Sequence, residues 1–250
     1  MLGLFGSQEH LLLLGFLLAF GLAIWLAHRQ FRDGLDSTFR DIPAFRSLKR
    51  TMSRSVESGQ PIHLGLGVGG VSTDLAADSL AALEIVEVMA KGSSSAERKP
   101  IITLADPTLL PLAQTQVQIA SGGRGIGSHV NDVRWIAPSP AAYAAGVMGT
   151  MGSETFESSV LVGSFGDEFL LLGGAGCQNR IQQVGAVSDP AVLPFVFATA
   201  DELLMGEELY AAGAYLSEKP WHLASLRAQD WMRWILVLAI VGMVIANNLL

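Results

Sequence analysis

The chain has 250 residues, half of them hydrophobic, with 16 Lys and Arg against 23 Asp and Glu, a formal net charge of -7 and a mean hydropathy of +0.40. That is enough chain to bury one sizeable core and still leave apolar segments outside it. A single cysteine, Cys177, excludes an internal disulfide framework and a cysteine-based zinc cluster, and the five histidines are scattered singly, so no metal is expected.

Residues 11 to 27, LLLLGFLLAFGLAIWLA, run for seventeen positions without a charge, near the lower limit for crossing a bilayer core. The rival reading is a cleaved signal peptide, but no Lys or Arg precedes the run and no A-x-A site follows it. Residues 1–28 are therefore read as an N-terminal transmembrane helix. Gly15, Ala19, Ala23 and Ala27 recur every fourth residue and put small side chains on one face, which lets helices approach closely in lipid. The plainer reading is that Ala and Gly are simply common in such helices.

Residues 29–60 form a basic amphipathic segment. Between 28 and 54 there are seven basic and three acidic side chains, while Phe31, Leu35, Phe39, Ile42, Phe45, Leu48 and Met52 recur at helical steps around Pro43. Such a segment lies on anionic headgroups or packs on a partner subunit, and the sequence does not choose.

From 61 to 220 short apolar runs alternate with helical patterns. The runs are 62–66, 101–105, 133–137, 160–162 with its flanks, and 181–187; the helical stretches are 73–91, 107–120, 140–151, 167–178 and 191–216. Parallel neighbours need helical crossovers, so the expected fold is α/β, a Rossmann-like parallel sheet of about five strands flanked by helices, with one transmembrane helix at each end of the chain. Asp106-Pro107, Ser139-Pro140 and Asp189-Pro190 each join a capping side chain to a proline suited to the first helical position. Residues 55 to 218 carry eighteen acidic and six basic side chains, a balance that repels a phosphate backbone, so nucleic acid is not an expected partner.

Residues 221–250 are read as the second transmembrane helix, its apolar part being WMRWILVLAIVGMVIANNLL from Trp231, with Ala239, Gly242 and Ala246 as a second small face. Arg29, Arg32 and Arg40 follow the first span and Lys219, Arg227 and Arg233 precede or open the second, whereas the outer flanks lack Lys and Arg. Both spans thus orient the central domain to the cytoplasm and both termini outside.

The stretches LVGSFGDE (161–168), ATADELLMGEELYAAGAYLSEKP (198–220) and HLASLRAQDW (222–231), with HLGLGVGG and TLADPTLLPLAQ, resemble a bacterial family of membrane-anchored proteins catalogued only as a domain of unknown function. The resemblance supports this architecture and brings no reaction, substrate or catalytic residue.

In an open parallel sheet ligands bind beyond the carboxyl ends of the strands. Gly65-x-Gly67-x-x-Gly70 has the spacing of a dinucleotide turn, with Gly69 inside it and Asp106 at the end of the next strand. Two details count against a dinucleotide: the following helix starts only near Thr73, and Asp106 lies later than the acidic residue of that fingerprint. Ser164, Asp167 and Glu168 admit a nucleophile with acid or base partners, but a helix cap with acidic residues in its first turn explains all three. Cys177 is expected as a small buried side chain near a helix end and His63 as a satisfied interior or edge side chain rather than a base. The expected function is a membrane-anchored scaffold or assembly subunit, associating with itself or with other membrane subunits. The alternative is a sensor binding a nucleotide or small anion at the sheet edge. No cofactor is expected, with a nucleotide the one exception that reading admits.

Overall fold

The computed structural model describes residues 7–32, 40–122, 132–217 and 220–249. In chain order the elements are α1 (Ser7–Arg32), α2 (Pro43–Ser58), β1 (Ile62–Gly67), α3 (Ala76–Gly92), β2 (Ile101–Leu104), α4 (Leu110–Ala120, led by a 3-10 turn at Pro107–Leu109) and β3 (Val133–Trp135). Then follow α5 (Pro140–Ser153), β4 (Ser158–Ser164), α6 (Glu168–Gln178), β5 (Gln182–Val187), α7 (Leu193–Thr199), β6 (Glu202–Met205), α8 (Glu207–Ser217) and α9 (Pro220–Leu249). They form two compact units, one of Met1–Arg40 with Glu218–Leu250 and one of Asp41–Ser217.

The larger unit is a six-stranded sheet, all parallel, in the order β3-β2-β1-β4-β5-β6. This is the strand order of the doubly wound dinucleotide-binding sheet. Alternate residues face opposite layers. Ile62, Leu64, Leu66, Ile102, Leu104, Val160 and Val162 join the core under α2, α3, α4 and α8, while Ile101, Leu161 and Val187 join the core under α5, α6 and α7.

The sheet has one strand more than the five expected. Residues 191–216 are not one helix but α7, β6 and α8, with β6 pairing on β5 at Val184↔Glu202 through Val187↔Met205. Glu-Leu-Leu-Met is a run of good helix formers, so its periodicity reads as helix; pairing at the edge of β5 overrides that local preference.

The amphipathic segment also finds a destination that the sequence reading did not name. The apolar side of α2 packs into the sheet's own core through Ala44, Phe45 and Leu48, capped at its end by Gly59 in the left-handed conformation. Leu35 and Phe39, and the side chains of Phe31 and Ala246, lie outside the described residues.

In the smaller unit α1 and α9 are each long and apolar enough to cross a membrane, over Leu13–Gln30 and Trp221–Ile245. Their buried residues are Ala23 and Ala27 on α1 and Ala224, Ala228 and Met232 on α9, and His28 stacks on Trp221 with ring centroids 4.0 Å apart. The end of α1 therefore lies beside the start of α9. Half of the first small-residue face is buried in this way, Ala23 and Ala27 but not the exposed Gly15 and Ala19, whereas Ala239 and Gly242 of the second face are exposed and the buried α9 residues lie nearer its start.

Candidate functional site

With β1 beside β4, the strand order reverses between them, and the C-terminal ends of these two strands mark where a doubly wound sheet opens a ligand crevice. The structure brings Gly67, Gly69, Gly70, Asp106, Ser164, Asp167 and Glu168 to this edge. Gly65 stays inside β1, where a Cβ would come within 2.8 Å of Leu161 and 3.2 Å of the Tyr143 hydroxyl.

The ends of β1 and β4 approach each other closely. Gly67 has φ +72, and a Cβ there would sit 2.0 Å from the Ser164 carbonyl oxygen; Gly163, at φ +121, approaches the Leu66 carbonyl in the same manner from β4. Both positions need glycine because the two strand ends are drawn together rather than splayed. The Val68 N–H donates to the Ser164 carbonyl at 2.9 Å, and the Ala105 N–H to the Gly67 carbonyl at 3.2 Å.

Amides that would have cradled an anion are likewise engaged. The Gly70 N–H donates to Thr73 Oγ1 and the Val71 N–H to Thr108 Oγ1. Asp106 Oδ1 accepts from the Thr108 amide at 2.7 Å and the Thr108 hydroxyl at 2.6 Å, and its carboxylate lies where a Gly70 Cβ would be. Asp106 thus works as a cap. The helix starts at Ala76, well beyond Gly70, so the last glycine of the motif does not meet a helix N-terminus.

The second candidate set departs from its expected capping geometry. Ser164 is the last residue of β4 and does not cap α6, which begins at Glu168 with exposed Asp167 at the capping position making no side-chain cap bond. Glu168 is buried and accepts from the Gly166 N–H at 2.8 Å, closing the loop before the helix. None of the described histidines or carboxylates is hydrogen-bonded to the Ser164 hydroxyl, so no base is placed to activate it. Cys177 is exposed at the end of α6, not buried, with its thiol donating to the Thr199 carbonyl at 3.4 Å.

Carboxylates gather at this edge after every strand but β3. Asp74 and Asp78 follow β1, Asp106 follows β2, Asp167 and Glu168 follow β4, Asp189 follows β5, and Glu207 and Glu208 follow β6; these described connections and the helical turns they open into contain no Lys or Arg. The cause lies in the topology. Every crossover helix starts at this edge, and carboxylates are favoured at helix starts by caps and by the helix dipole.

Two buried polar groups have partners that the sequence did not reveal. Asp78, in the first turn of α3, accepts from Ser188 Oγ at 2.5 Å and from the Tyr210 hydroxyl on α8; this bond raises the Tyr210 phenol above its ordinary pKa. An acidic residue in the first turn of a helix is a signal for Asp78, but nothing local ties it to Tyr210. In mid-sheet, His63 Nδ1 pairs with Ser159 Oγ and Nε2 with Thr103 Oγ1, both at 2.9 Å, and Thr103 Oγ1 lies 3.2 Å from the Tyr143 hydroxyl. Burial, with the positive charge of Arg134, pulls the His63 pKa down to about 3, and burial pushes Tyr143 up to about 12. Both are therefore neutral near pH 7, and His63 is a satisfied core residue whose ring nitrogens are occupied.

Over residues 3–249 the chain matches the family described as Domain of unknown function (DUF6754). The chain belongs to this family. No curated protein and no solved structure matches it. The stretch LVGSFGDE falls on the end of β4 and the start of α6, and TLADPTLLPLAQ runs from β2 through the Asp106 cap into α4, so both of these motifs lie at this edge.

Proposed function

We propose that the protein is a membrane-tethered, non-catalytic assembly subunit whose sheet unit associates with further copies or with another membrane subunit. The observation carrying this reading is the outer face of α5, α6 and α7. These three neighbouring helices contain one charged residue, Glu168, and it is buried, while Met148, Leu170, Leu171 and Phe197 are exposed beside Ala142, Ala145 and Gly149. An exposed apolar surface of this kind marks an interaction site on a soluble domain. In this reading α1 and α9 cross the bilayer, the sheet unit is cytoplasmic and both termini are outside, supported by the Lys and Arg residues that flank the spans on the sheet side.

The nucleotide-sensor alternative has less support. The amides of Val68, Gly70 and Val71 already have partners, and the surrounding carboxylates oppose an anionic ligand.

Leu171→Asp tests the assembly reading, because Leu171 is exposed and the change leaves the core intact. Native mass spectrometry of the full chain released from nanodiscs should show wild type as an oligomer or complex and the variant as a monomer. A monomeric wild type with nothing bound, or a variant as associated as wild type, defeats it.

A further inference from the structure

We propose that the seam between α2 and the sheet is a binding site for a buried water molecule, which bridges the Thr51 hydroxyl on α2 and the Ser158 hydroxyl at the start of β4.

The side of α2 that faces the sheet is not apolar throughout. Ala44, Phe45 and Leu48 join the core, but Ser47, Thr51 and Ser55 are buried on the same helix at four-residue steps, so a line of hydroxyls runs beside the apolar one. Residues alternate between layers along the facing strands. Val160 and Val162 of β4 and Val184 and Ala186 of β5 lie in the core under α2, which directs Ser158 and its register partner Gln182 to the same layer. Gln182 joins the two surfaces: its Nε2 donates to Ser47 Oγ at a long 3.4 Å, and its Oε1 accepts from Arg54 Nη1 at 2.6 Å. Thr51 is one turn beyond Ser47 and Ser158 one strand over from Gln182, so both flank this contact.

Among the described residues neither hydroxyl has a hydrogen-bond partner, although Thr51 and Ser158 are each only 1% exposed. The usual outlet for a helical hydroxyl is the carbonyl four residues back, and Ser79, Ser93, Thr115, Thr150 and Thr199 all use it, at 2.6 to 3.2 Å. Thr51 does not, which leaves its hydroxyl for the seam. On the same helix Ser55 donates to the Gln60 carbonyl at 2.7 Å, and on β4 the neighbouring Ser159 pairs with His63 in the opposite layer. A buried hydroxyl without a partner has given up its hydration and gained nothing in return. One water with about two to four polar neighbours satisfies both groups, and the Gln182 amide, loosely held by Ser47, is the third neighbour. The α2 contact is thereby hydrated, unlike the central turns of α3, which meet the sheet through Ala82, Leu83, Ile85, Val86 and Met89.

The test compares Thr51→Val, Ser158→Ala and the double variant by urea unfolding of the full chain in detergent micelles, followed by far-ultraviolet circular dichroism. Each change replaces a hydroxyl with an apolar group of similar size. Each single variant should lower the folded-to-unfolded ratio about five-fold, because the water and the remaining hydroxyl lose a partner. The double variant should fall no further than the less stable single one, since both changes act on one site. An unchanged or raised ratio in either single variant overturns the proposal, because apolar replacement of a dry, unpaired hydroxyl is neutral or stabilising. So does a double variant whose loss is the sum of the two. Should a variant not fold, a density map of the wild type decides. A solvent peak within about 3 Å of both oxygens supports the site, and hydroxyls turned onto protein acceptors with no peak between them overturn it.

Discussion

Gly67 shows how a motif residue acquires its role from a contact rather than from its spacing. A side chain there meets a backbone carbonyl and also demands a left-handed backbone, whereas Gly122 has the same φ of +72 with nothing within 4 Å of a built Cβ. Gly122→Ala should therefore cost about 1 kcal/mol and Gly67→Ala clearly more, beyond the roughly 1–3 kcal/mol of backbone strain, in urea unfolding. Equal losses would show that the approach of Ser164 is not tight. His63 carries a second prediction. The unfolded chain takes up a proton near pH 6.5 and the folded one resists until about pH 3, so the unfolded state holds more protons between these values. Stability from this group is complete above pH 6.5 and is lost as pH falls, at about 1.4 kcal/mol per unit. The difference in stability between wild type and His63→Phe should shrink across that window; a difference independent of pH would mean that the ring is protonated in the fold.

At the scale of elements, local propensity and tertiary pairing disagree at one place. The residues of β6 are helix formers and become a strand because β5 presents an open edge and Gly206, at φ +54, turns the chain sharply into α8. α8 is then fastened to α3 by the Tyr210 hydroxyl on buried Asp78. A hydrogen bond to a charged group is worth about 1.5–3 kcal/mol, and the half-exposed ring puts this one at the lower end. Tyr210→Phe should lower the unfolding free energy by about that amount and quicken hydrogen exchange in α8 before the central strands. Uniform acceleration throughout the sheet unit would argue that α8 has no separate latch. The Ala- and Gly-rich stretches of α5 and α8 both contribute to the interior, through Tyr143, Ala144 and Val147 on one and Ala211, Ala212 and Ala214 on the other, while Ala142, Ala145 and Gly149 on the opposite side of α5 are exposed.

For the whole molecule the decisive quantity is the distribution of charge rather than its sum. Parallel strands with helical crossovers gather every crossover helix start at one edge, so a chain of net charge -7 acquires an acidic end with no basic residue in its described connections. A nucleotide or inorganic phosphate would have to bind against that field and displace internal hydrogen bonds. A thermal-shift panel of nucleotides on the full chain should accordingly give no stabilisation, where a ligand at a hundred times its dissociation constant would add about 2.7 kcal/mol. A reproducible upward shift with any of them would reopen the glycine turn as a site.

The α/β class, the parallel sheet and two apolar terminal helices were legible in the sequence because each rests on local periodicity: apolar runs alternating with helical patterns, and long segments without charges. The proline-led junctions at Asp106 and Asp189 were legible for the same reason, and both carboxylates accept an amide two residues on. What depended on residues distant in the chain was not. The sixth strand needed β5, the burial of α2 needed the sheet core, and the meeting of Asp78 with Ser188 and Tyr210 needed three separate elements. The glycine motif is the clearest case, since its spacing is compatible with a bound phosphate or with a closed strand end. Only the tertiary structure shows that β4 brings the Ser164 carbonyl onto Gly67, because that contact joins strands almost a hundred residues apart and leaves no local trace in the glycine spacing.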